Sequence, residues 1–117
     1  MGPVKQYRQT DATTAEIVKY WENTFYALKV TFVNEMYEIC KAFGVDFYEA
    51  RDLWILDPRL NPMHTMVFEH NRGFGGKCFP KDVNALVQAS KKAGYSPKLL
   101  ETMLKVNEKF RKLNPKR

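Results

Sequence analysis

Apolar residues recur at steps of three and four through the first third of the chain. Ile17, Trp21, Phe25, Leu28, Phe32, Met36, Ile39 and Phe43 fall on one stripe, the spacing that gathers side chains on a single face of an α-helix. Val18, Val33, Tyr37 and Cys40 widen the apolar surface beyond that stripe. Neither glycine nor proline interrupts residues 15–43, and Gly44 supplies the left-handed residue that commonly ends a helix. Thr13, with Glu16 three positions on, has the form of a capping box, so the helix is expected to begin there. At 1.5 Å per residue it would be roughly 40 Å long. A helix so long and so widely apolar leaves two readings open. Part of it is buried against another chain or domain, or it is the central helix of a small bundle.

The remaining elements are shorter. Asp46 is placed to cap a second helix running to about Leu56, with Glu49 at its third position, Leu53 and Trp54 facing inward, and Asp57-Pro58 stopping it. Residues 57–77 then hold two prolines, two histidines and three glycines, the make-up of a long functional loop. Pro80 suits the first position of a third helix that ends at Gly94. Ser96-Pro97 opens a fourth, with Leu100, Met103, Leu104, Asn107 and Phe110 at helical spacing, which ends before Pro115. No period-two alternation and no internal repeat is present, so the expected class is all-α: one long helix, about three shorter ones and one functional loop.

Composition narrows the partners. A chain of 117 residues that is 44% hydrophobic has material for one domain and one modest core. No apolar run reaches the roughly 18–20 residues that cross a bilayer, and MGPVKQYRQT has no apolar signal core. The expected compartment is cytoplasmic, with no membrane partner. Cys40 and Cys78 lie far apart and outside any C-x-x-C pair, which predicts free thiols and no metal site. The net charge of +6 suggests an anionic partner, although much of the excess lies in KVNEKFRKLNPKR, where it also reads as a solvated helix face. No recognised nucleic-acid motif accompanies the charge, and a phosphate-bearing small molecule fits it as well, so nucleic acid is not the expected partner.

The densest chemistry is the segment GFGGKCFPKD, residues 73–82. Two phosphate-loop patterns fail there. The Walker pattern finds Asn71 where its first glycine should be and Cys78 in place of Ser or Thr. The dinucleotide pattern finds Cys78 in place of its last glycine, with no strand ahead of it. What remains is a flexible backbone leading to a cysteine just ahead of a helix start, where the helix end, Lys77 and Lys81 all favour thiolate. Asp82, in the first turn and four residues on, can lie on the same side and take a proton. On this reading Cys78 is a nucleophile. On the other, the glycines make a turn, Cys78 is a small buried residue and Asp82 an ordinary first-turn acid. Upstream, Lys19 and Asn23 share a helix edge. They form either an ammonium–amide pair able to stabilise an oxyanion or a solvated edge.

AEIVKYWENTFYALKVTFVNE, LDPRLN, GFGGKCFPKD and an amphipathic closing helix, in that order, resemble the central helical domain of the UDP-glucose/GDP-mannose dehydrogenase family. The likeness runs from about Thr14 to Phe110. It implies an NAD-dependent enzyme that oxidises the C6 alcohol of a nucleotide sugar, UDP-glucose, to the carboxylate in two hydride transfers. Cys78 then matches the nucleophile that forms a thiohemiacetal and thioester. Lys19 and Asn23 match the oxyanion-stabilising residues, and Asp82 the acid that positions or deprotonates water. Gly75, with Gly76 and Phe74, matches the backbone against the sugar, and Lys81 a residue near the cofactor. Arg59 matches an arginine that reaches the substrate of a neighbouring subunit, and helix 15–43 the core of a homodimer. The segment NPMHTMVFEHNR looks less familiar, and His64 and His70 are expected to be structural or solvent-facing. Residues 1–13 are expected to be a linker remnant and residues 14–117 the central dimerisation and catalytic-cysteine domain. The flanking dinucleotide- and nucleotide-binding domains are expected to be absent, so this chain alone should dimerise without turning over. A stand-alone helical dimerisation or interaction module, binding nucleic acid or another anion and lacking catalysis, is the alternative.

Overall fold

The structure, a computed structural model, describes residues 11–116. Four helices follow one another: α1 (Asp11–Phe43), α2 (Phe47–Trp54), α3 (Cys78–Lys92) and α4 (Lys98–Arg111). Among the described residues the only extended pairing is an isolated bridge between Phe68 and Asn71. The all-α expectation therefore holds.

Helix α1 is already formed at Asp11. The capping box expected at Thr13 therefore lies inside it, since Ala12 and its neighbours offer no glycine or proline to stop the helix. At the other end Gly44 adopts a φ of 73° and the Val45 amide donates to the Cys40 carbonyl, closing the helix as anticipated. Asp46 caps α2 by accepting from the Tyr48 amide, and α2 stops at Trp54, two residues short of the expected end. Helix α3 begins two residues earlier than expected, at Cys78, and Pro80 occupies its third position, where the missing N–H would have had no intrahelical partner. Helix α4 starts at Lys98, just past Pro97.

The interior has two parts. Ala27, Phe74, Val83, Val87 and Met103 form one cluster where α3 and α4 pack on α1. Val33, Phe47 and Val67 form the other, where α2 and the 57–77 connection pack on α1. A pair between Lys91 and Glu101, 2.7 Å apart, spans α3 and α4, and its hydrogen bond holds the Glu101 carboxyl below the ordinary range.

The face of α1 turned into this core is not the large apolar stripe. Thr24, Ala27, Thr31 and Asn34 are buried, whereas Ile17, Trp21, Phe25, Phe32, Ile39 and Phe43 stay exposed. Small residues let α3 approach closely. The polar ones are mostly satisfied within the helix, the Thr31 hydroxyl donating to the Ala27 carbonyl and the Asn34 amide to that of Val30. Leu53 and Trp54, expected to face inward, are 69% and 37% exposed. They continue the same uncovered apolar surface.

The 57–77 connection is ordered by side chains of α1 and α2. Lys29 donates to the Asn61 carbonyl, Arg51 to both the carbonyl and hydroxyl oxygens of Thr65, and the Tyr48 hydroxyl to the Val67 carbonyl. Tyr37 donates to Glu69. Burial first, then that hydrogen bond, holds the Tyr37 phenol above its ordinary value, and burial with the Glu69 charge does the same for Tyr48.

Candidate functional site

Helix α3 projects Cys78 from its first position, exposed, and buries Asp82 one turn later to 5% exposure. Asp82 is thus in the second turn, correcting the first-turn placement. Its partner comes from α1, where the Asn23 side-chain amide donates to Asp82 Oδ2 at 2.7 Å. An amide carries two N–H donors, so Asn23 can hold Asp82 and keep one for another acceptor. Lys19 stands one turn before Asn23 and is exposed. Two of the four expected catalytic residues are therefore bonded to each other across the helix pair, the third shares a helix with one of them, and the fourth shares a helix with the other.

The glycine segment is clamped from behind by α4. The Phe74 amide donates to Asn107 Oδ1 at 2.7 Å, and Asn107 Nδ2 donates back to the Phe74 carbonyl at 2.9 Å, all of it buried. Arg111 donates to Asn71 Oδ1 and to the Arg72 carbonyl, and Asn114 donates to that same carbonyl. The glycines let this happen. A Cβ at Gly73, whose φ is 75°, would meet Asn107 Oδ1 at 2.5 Å, and one at Gly75 would meet the Arg111 guanidinium at 2.6 Å. Arg72 anchors the approach to this segment. Its buried guanidinium donates to Asn34 Oδ1 at 2.6 Å, pairs with Glu38 at 2.8 Å and lies over the rings of Tyr37 and Phe110. Replacing Asn107 by alanine strands two buried backbone groups of Phe74, and is expected to lower stability by about 2–4 kcal/mol in a urea melt, with Asn107→Asp recovering only the acceptor half.

In front of the glycine segment lies a cavity of about 390 Å³, lined by Val30 and Asn34 of α1, by His64, Phe68 and Asn71, and by Gly73 to Gly75 and Phe79. That volume is within the range of small-molecule pockets. Gly75 and Phe74 thus face the cavity on one side and α4 on the other, Phe74 with most of its ring in the core. Gly76 and Lys81 are exposed. Arg59 is elsewhere. It borders a separate groove of about 500 Å³ with Phe25, Phe32 and Trp54, and Asp57 holds it through three hydrogen bonds. Those bonds keep the Asp57 carboxyl below its ordinary range and raise the Arg59 guanidinium. Among the described residues no cluster of His, Cys, Asp and Glu is placed to hold a metal, and no helix is long and apolar enough to cross a membrane.

A family model, that of the UDP-glucose/GDP-mannose dehydrogenase family, central domain, matches residues 13–109. The chain belongs to this dehydrogenase family. Among its curated relatives, UDP-glucose 6-dehydrogenase TuaD of Bacillus subtilis is 41% identical over 88% of the chain and 22% of its own length. UDP-glucose 6-dehydrogenase AglM of Haloferax volcanii is 38% identical over 86% of the chain and 23% of its own length. GDP-mannose 6-dehydrogenase of Pseudomonas savastanoi pv. phaseolicola is 38% identical over 83% and 22%. The chain spans less than a quarter of the length of these relatives.

Several residues around this dehydrogenase-family segment carry no local signal in the sequence. Asn107 lies 33 positions from Phe74, and Arg72 lies 38 from Asn34, so nothing short of the fold brings them together. His64, expected to be structural or solvent-facing, is half-buried between the rings of Tyr26 and Phe79, at 4.9 and 5.4 Å.

Proposed function

We propose that residues 14–117 are the central dimerisation and catalytic-cysteine domain of an NAD-dependent nucleotide-sugar 6-dehydrogenase, with UDP-glucose oxidised to UDP-glucuronate. The observation that carries this reading is the hydrogen bond from Asn23 to Asp82, which ties the α1 edge bearing Lys19 to the α3 turn bearing Cys78. The relatives named above as UDP-glucose 6-dehydrogenases support it. NAD is the hydride acceptor the family implies. The described residues contain no strand-and-helix crevice to hold it, and Lys81 is the residue proposed to lie beside it.

The work of this chain's own groups is then as follows. The Cys78 thiolate adds to the C6 aldehyde, forming a C–S bond, and the carbonyl oxygen becomes an oxyanion. The Lys19 ammonium and the free N–H of Asn23 stabilise that charge as it develops. Loss of hydride from C6 leaves a thioester. Asp82 takes a proton from water as it attacks that carbon, and the C–S bond breaks to release the carboxylate and regenerate Cys78. Gly75, Gly76 and Phe74 are proposed to bound the sugar. Arg59 is proposed to serve the substrate of a second copy paired through α1, which fits its place beside the uncovered Phe25 and Phe32 rather than beside Cys78.

The test is stoichiometry in the full-length polypeptide. UDP-glucose and NAD should give two NADH per sugar, with no free aldehyde. One NADH per sugar, or none, overturns the reading, and a larger kcat/KM for GDP-mannose would reassign the substrate.

A further inference from the structure

Arg72 carries a charge into the interior. The residue is 6% exposed, its guanidinium lies 4.5 and 5.4 Å from the ring centres of Tyr37 and Phe110, and it is not one of the residues that line the cavity. Taking a guanidinium out of water is expensive, and a well-packed apolar side chain of similar volume commonly serves stability as well or better. Stability alone does not account for an arginine here. What the charge does is join two walls of the cavity. Arg72 Nε donates to Asn34 Oδ1 at 2.6 Å, and that amide is held in its orientation because Asn34 Nδ2 donates to the Val30 carbonyl at 2.8 Å. Val30 and Asn34 form the α1 wall, and Gly73, Phe74 and Gly75, which follow Arg72 directly, form the glycine wall. A further contact, to Glu38 at 2.8 Å, lies one turn along α1, where the carboxylate is still 41% exposed. The main chain of Arg72 is meanwhile held from α4, its amide donating to Asn114 Oδ1 and its carbonyl accepting from Asn114 Nδ2. One residue thus fastens the glycine segment to α1 by its side chain and to α4 by its backbone.

We infer that Arg72 is a positioning residue for ligand binding: by bonding Asn34 and Glu38 from behind the cavity, it sets the separation of the α1 wall and the glycine wall, and with it the affinity for a sugar nucleotide. It touches no ligand itself. The inference rests on the proposed use of this cavity, and its test reads binding without turnover.

In the full-length polypeptide, Arg72→Met keeps an unbranched side chain between the two rings, removes every bond of the guanidinium and leaves Glu38 facing water. UDP-glucose titrated by calorimetry should bind this variant at least about tenfold more weakly than wild type, because the walls are no longer preorganised. KM should rise accordingly while kcat changes little, since Cys78 and Asp82 are carried by α3, which packs on α1 through Val83 and Val87. In Arg72→Lys one ammonium can pair with Glu38 but cannot reproduce the planar fork that also bonds Asn34, so its affinity should lie close to that of Arg72→Met. Glu38→Gln leaves the Asn34 bond in place and still offers the guanidinium an acceptor, so it should bind within about threefold of wild type. That order separates the bond between the walls from the mere presence of a positive charge. An arginine that served the fold alone would give a lowered melting temperature in Arg72→Met with wild-type affinity at temperatures where the variant is folded, and would overturn the inference. Should Arg72→Met fail to fold, wild-type affinity in Arg72→Lys would overturn it equally. Wild-type protein that binds neither UDP-glucose nor GDP-mannose would refute the use of the cavity before any variant is compared, and the inference would fall with it.

Discussion

Replacing Cys78 by alanine in the full-length polypeptide is expected to lower the two-step turnover by at least about a thousandfold, roughly 4 kcal/mol of transition-state stabilisation. The reason is specific to the second oxidation. The first hydride leaves an alcohol carbon and needs no sulfur, but an aldehyde has no hydride to give up as readily until a nucleophile has made it a tetrahedral oxyanion. Cys78→Ala should therefore stop at one NADH per sugar, with aldehyde accumulating. Asp82→Asn separates the later step. The amide oxygen can still accept from Asn23, so the α1 to α3 tie survives, but the base for water is gone. That variant should accumulate sugar covalently attached to Cys78, seen as an added mass on the peptide containing residues 78–81. Full activity in Cys78→Ala, or an Asp82→Asn enzyme that turns over without a trapped adduct, would remove these residues from the mechanism.

Much of this site can be read in the chain because its chemistry is packed into one contiguous segment and one helix edge. GFGGKCFPKD places Cys78 and Asp82 on the same helix whatever the tertiary arrangement, and the four-residue step from Lys19 to Asn23 does the same on α1. The helix boundaries near Gly44, Asp46 and Gly94 are local events of backbone and cap, and they too are legible. The direction in which α1 faces is not. Periodicity marks an apolar stripe, but it does not say what covers the stripe. Within this chain the helix is buried through Val33 together with Thr24, Ala27, Thr31 and Asn34, and the last four are small or polar side chains that give no hydrophobic signal. The clamp on the glycine segment is hidden for another reason. Asn107, Arg111 and Asn114 look like the polar positions of an amphipathic helix, and their role exists only once α4 has docked. Gly75, read as ligand-facing backbone, also answers to this docking, as does Gly73, since a Cβ at either would meet the Arg111 guanidinium or Asn107 Oδ1.

The uncovered stripe leads to the second large effect. Trp21, Phe25 and Phe32 are 63%, 53% and 48% exposed along α1, and Leu53 and Trp54 extend that surface onto α2. Exposed aromatics in a continuous row mark a surface that is covered in the working protein, and a row along one helix can pair with its own copy about a two-fold axis. Burying a phenylalanine stabilises by roughly 1.5–3 kcal/mol, and two-fold pairing makes each substitution count twice. Phe32→Asp should then weaken self-association by at least about a hundredfold, turning a dimer into a monomer in sedimentation at micromolar concentration. The helix content should not change, because Phe32 belongs to neither core cluster. Arg59 gives the experiment its functional reading. It borders the same groove as Phe25, Phe32 and Trp54, so a partner seated there would lie against it, as its proposed role at the second copy's substrate requires. A monomeric Phe32→Asp should consequently lose nucleotide-sugar affinity to about the extent of Arg59→Ala, and combining the two should add little further loss. A Phe32→Asp protein that dimerises as wild type does, or one that is monomeric with undiminished affinity, would detach Arg59 from the partner's site.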